Sequence, residues 1–187
     1  MTIVALICRY ARDERAAAAV EFTLIMPLLV LLLFGGIDVT QAVSANRKLS
    51  NTAATLSDLV AQNAKITKSQ VSNVFVAGSA VLTPFDAARL QALITNVVVD
   101  GTGNARVDWS QGLHKPALSR GATYTIPSSL AAEYRKPNTS FIVTEVAYEY
   151  NPVVGYALIG PVRMAGSSYA LPRSASLRTG VPCTDCL

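Results

Sequence analysis

One apolar stretch constrains this chain more than any other feature. Residues 16–37 read AAAAVEFTLIMPLLVLLLFGGI and contain a single ionisable residue, Glu21. A helix of roughly 20 apolar residues crosses the hydrocarbon core of a bilayer, and this stretch is long enough. Only helices and closed barrels satisfy all their backbone polar groups in lipid. The stretch therefore predicts a transmembrane helix and argues against a purely cytosolic enzyme.

The arginine distribution predicts the orientation of this helix. Residues 1–15 form a short head that carries Arg9, Arg12 and Arg15 directly before the apolar stretch, and the next cation is Arg47. Lys and Arg are enriched in the cytoplasmic segments next to a membrane helix. The head is therefore predicted to be cytoplasmic and the rest extracytoplasmic. The net charge of +4 is dispersed along the chain without a basic stripe, so no nucleic-acid partner is expected.

The helix is predicted to continue beyond the membrane. From Asp38 to Lys65 the sequence contains neither Gly nor Pro, and its apolar residues recur at helical spacing. The predicted stripe consists of Val39, Ala42, Val43, Leu49, Ala53, Leu56, Leu59 and Val60. We interpret residues 16–37 as the membrane span and 38–66 as its amphipathic continuation. One helix would run from about Arg15 to Asn63.

Residues 67–187 carry the pattern of a small α+β domain. A short helix is predicted within residues 66–82, and strands within residues 93–100 and 105–110, where Ala105, Val107 and Trp109 alternate with polar residues. The intervening DGTGN has the chemistry of a hairpin turn.

Three further strands are predicted at residues 121–126, 139–150 and 162–171. In the second of these, Ile142, Val146, Tyr148 and Tyr150 would share one side, with Glu145 and Glu149 on the other. The predicted fold is α+β, a long helix packed by its amphipathic half on a small antiparallel sheet.

Chemistry-bearing motifs are sparse. His114 is the only histidine and has no identifiable partners for a triad or a zinc site. Cys183 and Cys186 form a CxxC pair, which suits a redox pair, half of a zinc site or a local disulfide. A disulfide is the simplest outcome in an oxidising compartment. We predict no catalytic residue, no cofactor and no metal.

Glu21 and Pro27 interrupt the apolar stretch. Glu21 lies near its start, so its carboxylate either reaches the headgroup zone or is paired. If a proteolytic cut creates an amine nearby, the carboxylate of one chain would neutralise the amine of its neighbour and fix the register of packed helices. Pro27 removes a backbone donor and should kink or loosen the helix.

Together these residues resemble the N-terminal signature of TadE/TadG-like proteins, which are minor pseudopilins and assembly proteins of the tight-adherence (Tad/Flp) type IV pilus system. The matching residues are Arg15, Ala16 to Ala19, Glu21, Phe22, Pro27 and Gly35 to Asp38. The resemblance implies a pilin-like fold and a structural role in pilus biogenesis and adhesion. It also implies a bacterial inner-membrane location, with the body in the periplasm or carried into an extracellular pilus.

The resemblance also implies partners and site residues. The expected partners are other pilins or pseudopilins, the Tad assembly machinery, the prepilin peptidase and the lipid bilayer. The peptidase would cut between Ala16 and Ala17, which places Glu21 fifth in the mature chain; Ala16 stands where the family usually has Gly. Glu21, Phe22 and Pro27 are then the residues expected to set helix register and assembly.

Two alternatives remain at the level of sequence. Residues 1–45 could be a signal peptide cut after Ala45, because Val43 and Ala45 supply a small-residue cleavage site, and the remainder would be a secreted soluble domain. The apolar stretch is longer than the usual 7–15 residues of such a peptide. The chain could also be a membrane-anchored periplasmic protein outside any pilus system.

Overall fold

The computed structural model describes residues 14–153, 155, 160–173 and 180–186, with side chains from residue 18 onward. Most of the predicted cytoplasmic head lies outside these residues. Two helices and four strands occur within the described residues: α1 (Glu14–Ala61), α2 (Lys68–Val81), β1 (Leu90–Val99), β2 (Ala105–Leu113), β3 (Thr139–Tyr150) and β4 (Val162–Ala170). Short 3-10 turns occupy Ala87–Arg89 and Ala132–Arg135. The predicted α+β fold, with a long N-terminal helix and a small antiparallel sheet, is confirmed.

The four strands form one antiparallel sheet in the order β2-β1-β3-β4. The C-terminal half of α1 packs against α2, and α1 lies mainly across β3 and β4. α2 begins with a capping box, in which the Thr67 hydroxyl accepts from the Gln70 N–H and the Gln70 side chain accepts from the Thr67 N–H. The main core lies between these helices and one face of the sheet.

Directly after the apolar stretch, the row of α1 residues that faces the body is shifted by one position from the predicted row. Leu49, Ala53, Leu56 and Val60 are fully buried, as expected. Val39 and Val43 are instead 64% and 48% exposed. The body meets α1 along Asp38, Ala42 and Ala45, which are spaced by four and three residues. Val39 and Val43 each follow this row by one residue, about 100° further around the helix.

The prediction that Ala105, Val107 and Trp109 share one face of β2 is wrong. Asn96 pairs with Trp109, but Val97 pairs with Val107, so Asp108 is an extra residue in the ladder. Such a β-bulge places the residues before and after it on opposite faces. Trp109 joins the core under the helices, while Ala105 joins a second cluster on the outer face.

The outer cluster is covered by the connection between β2 and β3. Buried Val97, Phe141 and Val143 lie under the side chains of Tyr124 and Tyr134. The strand predicted at residues 121–126 is a single bridge between Arg106 and Thr123. Three backbone hydrogen bonds flank the bridge: the Tyr124 N–H donates to the Ala105 carbonyl at 2.9 Å, the Val107 N–H to the Ala122 carbonyl at 2.9 Å, and the Gly121 N–H to the Val107 carbonyl at 2.7 Å. Pro127 follows and has no N–H to donate, which limits further pairing.

Candidate functional site: the apolar helix and its junction with the body

The N-terminal half of α1 stands clear of the body. Every described side chain from residue 18 to residue 36 is exposed, including Leu24 at 74%, Leu32 at 65% and Phe22 at 63%. An 18-residue window of the helix reaches a mean hydropathy of 2.3 with none of its residues buried. The core helix of a soluble protein would be buried, and this segment is not. By length and composition, α1 fits a single-pass membrane anchor.

The structure places the predicted assembly residues along this exposed segment but does not gather them into one site. Ala16 and Ala17 lie in the first turn of α1, and their side chains are outside the described part. Glu21 and Phe22 are exposed, and Pro27 lies inside the helix. At 3.6 residues per turn, Glu21 and Pro27 are about 120° apart around the axis, so they do not share a face.

Asp38, the first residue after the apolar stretch, attaches the body to the helix. Its side chain is almost completely buried, with 8% of the residue exposed. One carboxylate oxygen accepts the Val153 N–H at 2.9 Å, and the other accepts the Gly155 N–H at 2.7 Å. Both donors belong to the connection between β3 and β4. A carboxylate that accepts two backbone N–H groups forms stronger hydrogen bonds than a neutral acceptor would.

The charge of Asp38 also acts on the nearest end of the sheet. Burial raises the pKa of Tyr150, and the negative charge of Asp38 raises it further. Tyr150 ends β3 and packs edge-to-face on Phe85, with ring centroids 6.2 Å apart. Asp38 therefore faces a phenol that stays neutral and a pair of backbone donors, an environment that accommodates its charge.

Further contacts hold the body along the rest of α1. The Lys48 ammonium donates to the Thr83 carbonyl. The Ser57 hydroxyl donates to the Ser168 carbonyl of β4 at 3.3 Å. Near the end of α1 the Arg173 N–H donates to the Ala61 carbonyl at 2.9 Å. Together with Asp38, these contacts fix α1 to the body over its last six turns.

Residues 16–56 match the family model described as TadE-like protein. The chain carries a TadE-like segment. No curated protein and no solved structure matches the chain. The match agrees with the resemblance seen in the sequence.

The TadE-like segment covers both parts of the candidate site. It includes the exposed apolar half of α1, then Asp38 and the buried stripe of α1 as far as Leu56. Neither α2 nor any strand falls within it. What this chain shares with the family model is therefore the helix and the surface on which the body rests.

The C-terminal residues beyond the TadE-like segment close the far end of the body. Val181 is fully buried, and its carbonyl accepts the Trp109 indole N–H at 2.6 Å. Ile66 pairs with Cys183 in a parallel bridge. The Asp185 carboxylate accepts the Lys68 N–H at 2.7 Å, at the first turn of α2, where a negative charge is favourable.

Cys183 and Cys186 form a disulfide, with sulfur atoms 1.97 Å apart. Within the described residues, these cysteines and Asp185 are the one group of three side chains that could reach a metal ion. The disulfide uses both sulfur atoms, and a thiolate is the form that binds metal. His114 lies elsewhere, with its Nδ1 2.9 Å from the Leu90 carbonyl.

Sequence reasoning identified Asp38 as part of a family signature but not as the residue that joins helix and body. Its partners are 115 and 117 residues away along the chain. The local signal is a lone carboxylate directly after the apolar stretch, which predicts an interfacial residue but no partner. Apart from the CxxC pair, no motif in the sequence predicted that the C-terminal residues pack against Trp109.

Proposed function

We propose that this chain is a structural minor pseudopilin or assembly protein of a Tad/Flp type IV pilus, held in the bacterial inner membrane by α1. The observation that carries the proposal is the TadE-like match, which coincides with an apolar helix that the body leaves uncovered. The head is cytoplasmic and the body periplasmic, in line with the arginines before the span. No catalytic step is proposed.

Helix association is the activity that this arrangement supports. The exposed apolar half of α1 has lipid or other helices as its neighbours, namely those of other pilins or pseudopilins in the Tad machinery. In lipid, helices associate through close packing and polar contacts. Glu21 supplies such a contact once the prepilin peptidase cuts between Ala16 and Ala17, because the new amine of one chain pairs with the carboxylate of its neighbour.

The described contacts argue against a secreted domain released after Ala45. Ala45 is fully buried in the core, and α1 runs through it without a break to Ala61. A cut there would remove Asp38 and the two hydrogen bonds that it accepts. The body would lose part of its own packing surface, which a signal peptide does not normally provide.

The test is the intact mass and the N-terminal sequence of the protein extracted from the membrane of its own host, with and without the prepilin peptidase. A chain that begins at Ala17 only when the peptidase is present supports a pseudopilin. An unprocessed chain supports a membrane-anchored assembly protein. A chain that begins at Asn46 contradicts the proposal in favour of a secreted domain.

The role of Glu21 is tested by Glu21→Gln, which removes the charge with little change in size. We expect the variant to remain in the membrane fraction but to be depleted from sheared pili or from cross-linked complexes with other pilins. Thr23→Ala is the matched control, because the Thr23 hydroxyl donates only to the Ala19 carbonyl of its own helix. Equal incorporation of both variants would contradict a register role for Glu21.

A further inference from the structure

The connection between β3 and β4 is held at the level where α1 leaves the membrane. Its Val153 and Gly155 N–H groups bond to Asp38, the residue directly after the apolar stretch. At a rise of 1.5 Å per residue, the 22 residues before Asp38 span about 33 Å, close to the thickness of about 30 Å of a hydrocarbon core. Headgroups occupy about 5–7 Å beyond that core on each side.

Two residues at this level are apolar and exposed. Val153 is 81% exposed, and Val39, next to Asp38 on the helix, is 64% exposed. The ten residues of the sequence from Pro152 to Pro161 contain no charged residue. The exposed Val153, in a segment whose sequence carries no charge, is compatible with the headgroup and acyl boundary, where an apolar side chain gains by leaving water.

We propose that Val153 lies in the interfacial region of the outer leaflet, so that the body makes a second contact with the lipid bilayer beside α1. The proposal rests on the proposed membrane anchoring. Asp38 sets the depth of this contact, because its carboxylate holds the backbone on both sides of residue 154. The second contact limits the tilt and the rotation of α1 and the body as one unit relative to the membrane, which a single spanning helix would leave free.

The position of Val153 beside the apolar half of α1 favours lipid as the partner that contacts it. The contact is continuous with the exposed apolar surface of α1, on which Ile37 is 44% exposed. The exposed apolar side chains described at this level, Val39 and Val153, are too small an area for a stable protein interface, which buries about 800 Å² on each partner. An interfacial contact needs no such area, because α1 already keeps the body at the surface.

The experiment uses the full chain in vesicles that contain lipids brominated at a shallow or a deep position. An environment-sensitive fluorophore is attached to one introduced cysteine, on a background of Cys8→Ser and under non-reducing conditions that keep Cys183 and Cys186 joined. The labelled variants are Val153→Cys, Leu31→Cys within the span and Thr102→Cys in the hairpin loop. Leu31 is 59% exposed and Thr102 is exposed, so both accept a label.

We expect the Val153 label to be quenched several-fold more than the Thr102 label, and more by shallow than by deep bromine. Adding Asp38→Ala should reduce quenching at Val153 and leave quenching at Leu31 unchanged. Emission of Trp109 verifies that each variant is folded. These results together would support the interfacial contact.

Three outcomes would overturn the inference, and they are distinguishable. If Leu31 is quenched and Val153 is not, the second contact does not exist while the anchor stands. If Leu31 is not quenched either, the membrane anchoring itself fails. If the Val153 label is shielded from bromine in proportion to the protein-to-lipid ratio, another copy of the chain covers this site instead of lipid.

Discussion

At the scale of single residues, the hydrogen bonds that Asp38 accepts contribute to the stability of the contact between α1 and the body. Asp38→Ala leaves the Val153 and Gly155 N–H groups without their carboxylate acceptor. Loss of hydrogen bonds to a buried charged group lowers the free energy of unfolding by about 1–3 kcal/mol. Asp38→Asn keeps one acceptor oxygen and should lose less. Urea unfolding in detergent, followed by the emission of the single tryptophan Trp109, measures both variants.

Thr40→Ala is the control for this prediction. Thr40 is exposed and its hydroxyl donates only to the Gly36 carbonyl one turn earlier, so its loss should change stability by less than about 0.5 kcal/mol. If Asp38→Ala were no more destabilising than Thr40→Ala, the carboxylate would not attach the body to the helix.

Gly180 has a left-handed backbone conformation, with a φ of 69°. A Cβ atom there would lie 2.2 Å from the Oδ1 atom of buried Asn96, so a larger residue would have to displace the Asn96 side chain and would also strain the backbone. Gly180→Ala should displace the neighbouring Val181 carbonyl from the Trp109 indole N–H. We expect a red shift of Trp109 emission and a loss of stability of more than about 1–2 kcal/mol, the strain expected from the left-handed backbone alone.

Gly121→Ala separates the strain from the clash. Gly121 has a φ of 80° but nothing lies within 4 Å of its Cβ position. This variant should show only the loss of about 1–2 kcal/mol and no shift of Trp109 emission. Identical behaviour of the two variants would mean that the C-terminal residues are not held against Asn96.

At the scale of elements, α1 and α2 approach closely at one glycine. A Cβ atom at Gly78 would lie 2.5 Å from a methyl carbon of Leu56, which is fully buried and cannot turn into solvent. Overpacking of this kind destabilises by about 1–3 kcal/mol and outweighs the gain of about 1 kcal/mol in helix propensity. Gly78→Ala should therefore not raise the free energy of unfolding, and we expect urea unfolding to show a decrease.

Ala77→Gly calibrates the propensity term in the same helix. Ala77 is exposed, so this change should destabilise by about 1 kcal/mol through backbone entropy alone. If Gly78→Ala instead stabilised the protein by that amount, Leu56 would have room to move and the close approach would not constrain the helix pair.

Helices and strands could be predicted from the sequence where the spacing of apolar residues stayed constant along the whole segment. The unbroken helical spacing after residue 37 predicted α1, and the alternation of Val146, Tyr148 and Tyr150 with Glu145 and Glu149 predicted both faces of β3 correctly. In β2 the extra residue Asp108 reverses which face of the sheet the following side chains occupy, although apolar and polar residues still alternate along the sequence. The pairing of Asn96 with Trp109 and of Val97 with Val107 becomes visible only once β1 is in place.

At the scale of the whole molecule, the two-layer arrangement followed from the amphipathic half of α1, which needs a surface to cover. The contacts that close the molecule could not be predicted, because they join distant segments. Asp38 meets the β3–β4 connection, and Trp109 meets Val181 at a separation of 72 residues. Neither pair leaves a local trace in composition or period. The site was therefore predictable as a long apolar helix, but the hydrogen bonds that fix the body to it at Asp38 were not predictable.

Buried and partly buried tyrosines on both sides of the sheet make the stability of the whole molecule depend on pH in the alkaline range. Burial raises the pKa of Tyr148 and Tyr150 under the helices. It also raises the pKa of Tyr124 and Tyr134 on the outer face, and for Tyr124 the neighbouring Tyr169 adds to the effect. Below the ordinary value of 10.0, both the folded and the unfolded chain keep these phenols protonated, so they contribute no pH dependence.

Above pH 10 the unfolded chain releases these protons first, and the folded state becomes less stable as the pH rises. Circular dichroism should therefore show a cooperative alkaline transition, and difference absorbance should show tyrosinate appearing in the same step. Tyr124→Phe removes one phenol that the folded state must keep neutral, so its transition should lie at higher pH once stability at pH 7 is allowed for. Tyrosinate that appeared gradually, well before unfolding, would mean that the outer cluster does not exclude water from Tyr124.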